Sequence, residues 1–223
     1  MKKLNKYIDH TMLKQFATRE DISKLCNEAK EFDFATVCVN PSWIEFCKKE
    51  LSGSTVDVCT VIGFPLGAMT TATKVFEAKN AVEIGADEVD MVLNIGRLKD
   101  NEMDYVISEI KDCKAAVGNH VLKVIIETCL LTDEEIVRAC NAVVTAGADF
   151  VKTSTGFSTS GATMEAVKLM KDTVKDNCFV KAAGGVRSND DLLAMIKVGA
   201  DRIGTSSGTK LMDKSQKVAS DLY

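Results

Sequence analysis

At 223 residues the chain is long enough for one sizeable core and too short for two comfortable α/β domains, so one domain over residues 1–223 is expected. Hydrophobic residues at 46% against 27% charged give an ordinary water-soluble balance, and a net charge of −4 with scattered basic residues leaves no footprint for nucleic acid. The basic start runs into Asp9 and His10 rather than an apolar stretch, so neither a signal peptide nor a membrane span is expected, and a reducing cytoplasmic setting is.

Short apolar runs alternate with helix-length amphipathic stretches along the chain. In order, strands are expected at 7–11, 35–40, 56–64, 88–94, 122–128, 149–155, 178–183 and 202–206. Helices are expected near 19–32, 42–51, 71–85, 99–117, 133–146, 161–176 and 189–198. Thr18-x-x-Asp21, Thr132-x-x-Glu135 and Ser188-x-x-Asp191 read as capping boxes at three of the helix starts. Gly85-Ala86-Asp87, Gly147-Ala148-Asp149 and Gly199-Ala200-Asp201 each close a helix and lead into a strand, glycine supplying the left-handed turn. With only two prolines and no linker-like segment, this alternation implies parallel strands. Eight such units in so short a chain point to a (β/α)8 TIM barrel, with a doubly wound open sheet as the alternative.

In a closed barrel alternate strand residues face in and out. Val89, Met91 and Leu93 then pack outward on helices, while Glu88, Asp90, Val92 and Asn94 point inward. Leu122, Val124 and Ile126 oppose Lys123, Ile125 and Glu127 in the same way, and Val37 and Val39 oppose Thr36, Cys38 and Asn40. Phe150-Val151-Lys152 and Phe179-Val180-Lys181 each place a lysine on the inner face at a strand's carboxyl end, where barrel active sites lie. Burying a charge costs several kcal/mol unless it is paired, so Lys123, Lys152, Lys181 and the inward carboxylates form either internal ion pairs or a reaction site. The placement of Lys152 with Lys181 favours the second.

Glycine and hydroxyl clusters follow the last three strands: Thr153-Ser154-Thr155-Gly156, Gly184-Gly185-Val186-Arg187 and Gly204-Thr205-Ser206-Ser207-Gly208. Glycines let backbone N–H groups approach an anion, and the loops after strands seven and eight hold phosphate in this architecture. Thr155, Gly156, Gly184, Gly185, Gly204, Ser206 and Ser207 are therefore candidate phosphate contacts. The eight cysteines show no C-x2-C pair and read as packing, while two histidines are too few for a His-rich metal site. No metal and no other cofactor is expected.

Lysine becomes nucleophilic when desolvation or a neighbouring cation disfavours its charge, which makes Lys152 beside Lys181 a candidate for Schiff-base chemistry on a carbonyl. The iminium would let an adjacent C–C bond break, with Asp90 moving protons, in part through water.

The chain resembles the deoxyribose-phosphate aldolase family along nearly its whole length. The matching segments are Ile8-Asp9-His10-Thr11, Thr36-Val37-Cys38-Val39, Val61-Ile62-Gly63-Phe64-Pro65-Leu66-Gly67 and Asp87-Glu88-Val89-Asp90-Met91-Val92. They continue through Lys123-Val124-Ile125-Ile126-Glu127-Thr128, Val151-Lys152-Thr153-Ser154-Thr155-Gly156-Phe157, Lys181-Ala182-Ala183-Gly184-Gly185-Val186-Arg187 and Arg202-Ile203-Gly204-Thr205-Ser206-Ser207. The resemblance implies reversible cleavage of 2-deoxy-D-ribose 5-phosphate to glyceraldehyde 3-phosphate and acetaldehyde. It gives Lys152 as the Schiff-base lysine, Lys181 as the lysine that perturbs it and Asp90 as the proton-relay carboxylate. Gly156, Gly184, Gly185, Gly204, Ser206 and Ser207 match phosphate-contacting positions, and a homodimer is the family's expected assembly. The partners implied are small phosphorylated sugars and aldehydes. Ala182-Ala183 depart from the Ser or Pro that the family often carries there. Cys38 is a candidate for reaction with aldehydes against inert packing, and the terminal Tyr223 is a candidate proton relay against a loose end. Two other readings stand beside this one. One is a phosphate-binding isomerase or epimerase using Asp90 and Glu127, the other a non-catalytic sugar-phosphate binder.

Overall fold

The computed structural model describes residues 2–212. Strands β1 (Ile8–Met12), β2 (Thr36–Val39), β3 (Asp57–Ile62), β4 (Glu88–Val92), β5 (Val121–Ile125), β6 (Phe150–Lys152), β7 (Phe179–Ala183) and β8 (Arg202–Thr205) form a closed barrel in sequential order. Every pairing is parallel, and β1 closes on β8 through Ile8↔Ile203 and His10↔Thr205. The closed barrel decides against the open sheet.

Around it lie α1 (Arg19–Phe32), α2 (Ile44–Glu50), α3 (Thr71–Glu83), α4 (Ile95–Lys99), α5 (Met103–Val117), α6 (Asp133–Ala146), α7 (Met164–Val174), α8 (Asn189–Lys197) and α9 (Gly208–Met212). The capping boxes at α1, α6 and α8 all form, each hydroxyl accepting from the backbone N–H three residues on while that residue's carboxylate accepts in return. None of the described helices is long and apolar enough to cross a membrane.

The expected outward residues Val37, Val39, Val89, Met91, Leu93, Leu122, Val124 and Ile126 are all buried, in one apolar cluster with the inner faces of the helices. A second, small cluster of Leu13, Cys38, Cys59 and Val61 fills part of the barrel interior. Boundaries differ from the sequence reading where apolar composition outruns the ladder. The strands expected at 56–64 and 149–155 stop at Ile62 and Lys152: Gly63 turns at φ 59°, and beyond Lys152 the chain runs through buried Thr153 and Ser154 to Thr155, which lines the barrel mouth. The helix expected at 99–117 begins only at Met103 (α5), set off by Asn101 at φ 59° from a separate short helix, α4, that ends at Lys99. The helix expected at 42–51 opens as a 3-10 turn at Pro41–Trp43.

The Gly-Ala-Asp repeat does more than turn the chain. Asp87, Asp149 and Asp201 each accept a hydrogen bond from the backbone N–H at the start of the preceding strand: Val58 at 2.8 Å, Leu122 at 2.8 Å and Val180 at 2.9 Å. Each also meets a lysine of the helix leading into that strand, Lys48, Lys114 and Lys171 in turn. The aspartates thus tie β3 to β4, β5 to β6 and β7 to β8 at their amino ends.

Outside the barrel, Lys74 of α3 and Glu109 of α5 form a fully buried ion pair at 2.7 Å, and Lys74 also donates to the Val92 carbonyl at 2.9 Å. Removing Lys74 leaves the buried Glu109 carboxylate without a counter-charge, with only the Thr71 and Tyr105 hydroxyls at 3.3 and 3.5 Å. Lys74→Met is expected to cost about 3–5 kcal/mol in urea unfolding, and Lys74→Met with Glu109→Leu to recover most of that loss.

Candidate active site

Inward-facing positions of six strands deliver seven charged side chains to the barrel interior. Asp9 comes from β1, Glu88 and Asp90 from β4, Lys123 from β5, Lys152 from β6, Lys181 from β7 and Arg202 from β8, so the chain closure at β1 and β8 contributes as much as the central strands. Asp90 is the hub. Its Oδ1 accepts from Lys123 Nζ at 2.7 Å, and its Oδ2 accepts from both Lys152 and Lys181 at 2.8 Å. Two ammonium groups on one oxygen lie within two hydrogen-bond lengths of each other.

The rest of the network is uneven. Lys123 also reaches Glu88 at 2.6 Å, Lys181 also pairs with Asp9, and Arg202 spans Asp9 and Glu88. Each of these three cations therefore has two carboxylate partners, whereas Lys152 has only its share of Asp90. Four cations face three carboxylates. Lys152 is the cation held by the fewest ion pairs, and Lys123, Lys181 and Arg202 by themselves balance the three carboxylates.

Electrostatics bind Lys181, Lys123 and Asp90 firmly in their charged forms. Burial opposes the charge of Lys181, but Asp9 and Asp90 outweigh it and hold the amine above the ordinary lysine range. Lys123 is raised in the same way, burial being outweighed by Asp90 with help from Glu88. Burial would lift Asp90, yet Lys123, Lys152 and Lys181 hold it well below the usual carboxylate value.

Lys152 alone of the three lysines lines the cavity of about 710 Å³ at the carboxyl end of the barrel. Thr155, Gly156, Gly184, Gly185, Gly204, Ser206 and Ser207 line it too, so the residues singled out as phosphate contacts are brought around one space. Among the described residues the N–H groups of Gly156, Gly184, Gly185 and Ser206 have no acceptor and remain available to an anion. Gly204 is constrained by its neighbour: a Cβ there would stand 3.1 Å from the Lys181 Cε. The rim carries Lys14, Arg187 and Lys210, which favour a dianion at the glycine loops.

Sequence reasoning missed several of these groups. Asp9 and Arg202 meet across 193 positions of sequence, Lys14 sits in the loop after β1, and Lys210 lies on the five-residue α9, too short to show a period. Gly161 was passed over as well. Its backbone lies against Gly184, where a Cβ would come within 2.4 Å of the carbonyl carbon, so only glycine lets the loop after β6 rest on the loop after β7.

Of the accessory candidates, Lys123 is sealed beneath the cavity and Tyr223 lies outside the described residues. Cys38 faces inward as expected but is fully buried beside Cys59 and does not line the cavity. Cys38, Cys59 and Asp90 bring donor atoms within 4.8 Å of one another, the one such group among the described residues. Three ammonium groups already occupy Asp90, so a cation placed there would meet strong repulsion. Cys129 stands at the edge of this face, partly exposed. Burial works against its thiolate, but hydrogen bonds from Ser158, Thr159 and Ser160 outweigh it and lower its proton affinity. Burial instead pushes Cys113, Cys140 and Cys178 up to about 12. Brief iodoacetamide treatment of the folded protein, read by peptide mass spectrometry, is expected to label Cys129 well ahead of those three.

Comparison with known proteins adds the family. The model of the DeoC/LacD family aldolases matches residues 3–212. A deoxyribose-phosphate aldolase of Streptococcus gordonii is 61% identical over 210 residues, covering 94% of this chain and 96% of that protein. Deoxyribose-phosphate aldolase 1 of Mesoplasma florum is 59% identical over 98% of this chain and 99% of its own length. Among solved structures, an aldolase called QR15 superposes with a TM-score of 0.90 at 42% identity over 95% of each chain. The deoxyribose phosphate aldolase of Aeropyrum pernix, described as a tetramer, superposes with a TM-score of 0.83 at 35% identity, covering 93% of this chain and 88% of that one.

Proposed function

The chain belongs to the DeoC/LacD family of aldolases, carbon–carbon lyases, and from that premise we propose that it reversibly cleaves 2-deoxy-D-ribose 5-phosphate through a Schiff base on Lys152. The products are D-glyceraldehyde 3-phosphate and acetaldehyde. The observation that carries this reading is the position of Lys152: it is the only one of the three barrel lysines open to the cavity and the cation with the fewest carboxylate partners.

The open-chain sugar enters with its phosphate at the glycine loops, where free N–H groups and the rim cations take the charge. Its C1 carbonyl then meets the Lys152 amine. Attack forms a carbinolamine, and loss of water gives the iminium, with Asp90 passing protons between the nitrogen and the departing oxygen. Lys181 stays charged beside them, and Asp90 remains ionised to accept the next proton. Removal of the C3 hydroxyl proton, relayed through water to Asp90, breaks the C2–C3 bond. The electron pair flows into the iminium and leaves an enamine on Lys152, releasing glyceraldehyde 3-phosphate. Protonation of the enamine at C2 and addition of water then release acetaldehyde and the free amine. Every step balances without a metal. A cytoplasmic, catabolic role in using deoxyribose phosphate accords with this chemistry.

The test is borohydride reduction in the presence of deoxyribose 5-phosphate and EDTA, followed by peptide mass spectrometry. A reduced adduct on Lys152 is the expected result. A folded protein that binds the phosphate ester and forms no adduct would overturn the Schiff base and leave isomerase or simple binding as the reading.

A further inference from the structure

We infer that Glu127 is a positioning residue for this reaction: its buried carboxylate sets the Thr155–Gly156 turn and thereby fixes how far the phosphate loops stand from the Lys152 amine. The inference rests on the aldolase reading given above and goes beyond it to a residue that reading leaves without a part.

Glu127 is an unusual carboxylate. It is 3% exposed, and among the described residues no lysine, arginine or histidine lies in ion-pair contact with it. Its backbone is left-handed, φ 53° and ψ 65°, a region that side-chain-bearing residues rarely adopt and that persists only where the surroundings insist on it. The surroundings here are the two residues flanking it. Ile126 N–H donates to the Lys152 carbonyl at 3.0 Å and Thr128 N–H to the Thr153 carbonyl at 2.9 Å, so the chain is pinned to the end of β6 on both sides of Glu127.

The side chain completes the clamp. Its Oε1 accepts from the Thr155 backbone N–H at 3.2 Å, and its Oε2 accepts from the Thr155 hydroxyl. That hydroxyl in turn accepts from the Phe157 N–H at 3.0 Å, spanning Gly156. Gly156 therefore turns at φ 85° with its own N–H directed to no described acceptor, and both Thr155 and Gly156 line the cavity with Lys152. A carboxylate suits the place because it only accepts, and Thr155 offers two donors. A carboxamide of the same size has one accepting oxygen and would turn an NH2 group toward a donor.

Because Glu127 touches the turn and not the reacting carbonyl, its effect should depend on whether the substrate is anchored by phosphate. Glu127→Gln is expected to lower kcat/KM for 2-deoxy-D-ribose 5-phosphate about 100-fold, as misplacing an anchored substrate by about 1 Å does. For unphosphorylated 2-deoxy-D-ribose, which has no phosphate to misplace, the loss should be no more than a few-fold. Thr155→Val, which removes the hydroxyl from the same clamp, should show the same phosphate-selective loss and serves if Glu127→Gln does not fold. Combined, the two changes should cost less than the product of their separate effects.

Equal losses on the two sugars would overturn the inference, since general destabilisation or a direct acid–base role depresses both alike. Full activity of Glu127→Gln on the phosphorylated sugar would overturn it as well. A native protein that cleaves neither sugar and forms no borohydride adduct would instead overturn the aldolase reading, and this inference with it.

Discussion

Lys152→Met should reduce kcat for cleavage of deoxyribose 5-phosphate on the order of 10⁴-fold or more, with almost no change in melting temperature. The first half follows from removing the nucleophile: no other amine opens to the cavity from the barrel interior, so nothing takes its place. The second half follows from charge. Lys152 is the fourth cation against three carboxylates, and without it Lys123, Lys181 and Arg202 face Asp9, Glu88 and Asp90 evenly. Asp90 keeps a lysine on each oxygen. Methionine replaces the apolar stem of the side chain with similar volume, so no cavity opens. Steady-state kinetics and calorimetry on one preparation check both halves. Retention of more than a few per cent of the native rate would mean that the reaction does not pass through Lys152.

Asp90→Asn should behave in the opposite way with respect to stability. Lys123, Lys152 and Lys181 all lose their shared counter-charge, and asparagine offers one accepting oxygen in place of two. Removing one side of a buried ionic group costs about 3–5 kcal/mol. For a chain of this length that is a fall in melting temperature of roughly 10 °C. The rate should drop by about 10²- to 10⁴-fold, because the group that moves protons at the carbinolamine and at C3 is lost. The pH dependence has a definite sign. The Asp90 carboxyl is depressed in the folded state, so its contribution is complete above the ordinary carboxylate value of about 4 and disappears only as pH falls through the lower folded value. The native protein and Asp90→Asn should therefore differ by a constant margin from neutral pH down to about 4 and converge below it. A gap that closed nearer pH 6 would place the stabilisation on some other group.

These two substitutions use features that were open to very different degrees in the sequence. The inward lysines were legible because a closed parallel barrel imposes a period of two, and a lysine amid Phe and Val on the inner face breaks that rule conspicuously. Asp90 was legible for the same reason. The imbalance that distinguishes Lys152 from Lys181 was not, since it depends on Asp9 and Arg202, which meet only when β1 closes on β8. Helices with cap signals were found with their starts correct, Arg19, Asp133 and Asn189 among them. The five-residue α4 and α9 were not, being too short to show a helical period. Glu127 shows the limit in another form. Alternation placed it inward, but its left-handed backbone arises from contacts with the end of β6 that no local pattern records.

The three Gly-Ala-Asp joints have a bearing on how such a molecule changes over generations. Asp87, Asp149 and Asp201 fasten strand to strand at the amino ends, while the reacting groups stand at the carboxyl ends of the same strands. At β4 the two tasks lie only three positions apart, Asp87 just before the strand holding register and Asp90 within it serving the interior. Strand registration at the amino ends thus rests on residues that take no part in turnover, although Asp90 serves both stability and reaction, and mutations at the aspartate joints leave the contacts of the mouth nearly untouched. The barrel's mouth is free to drift toward other carbonyl substrates while its base keeps the staves in line.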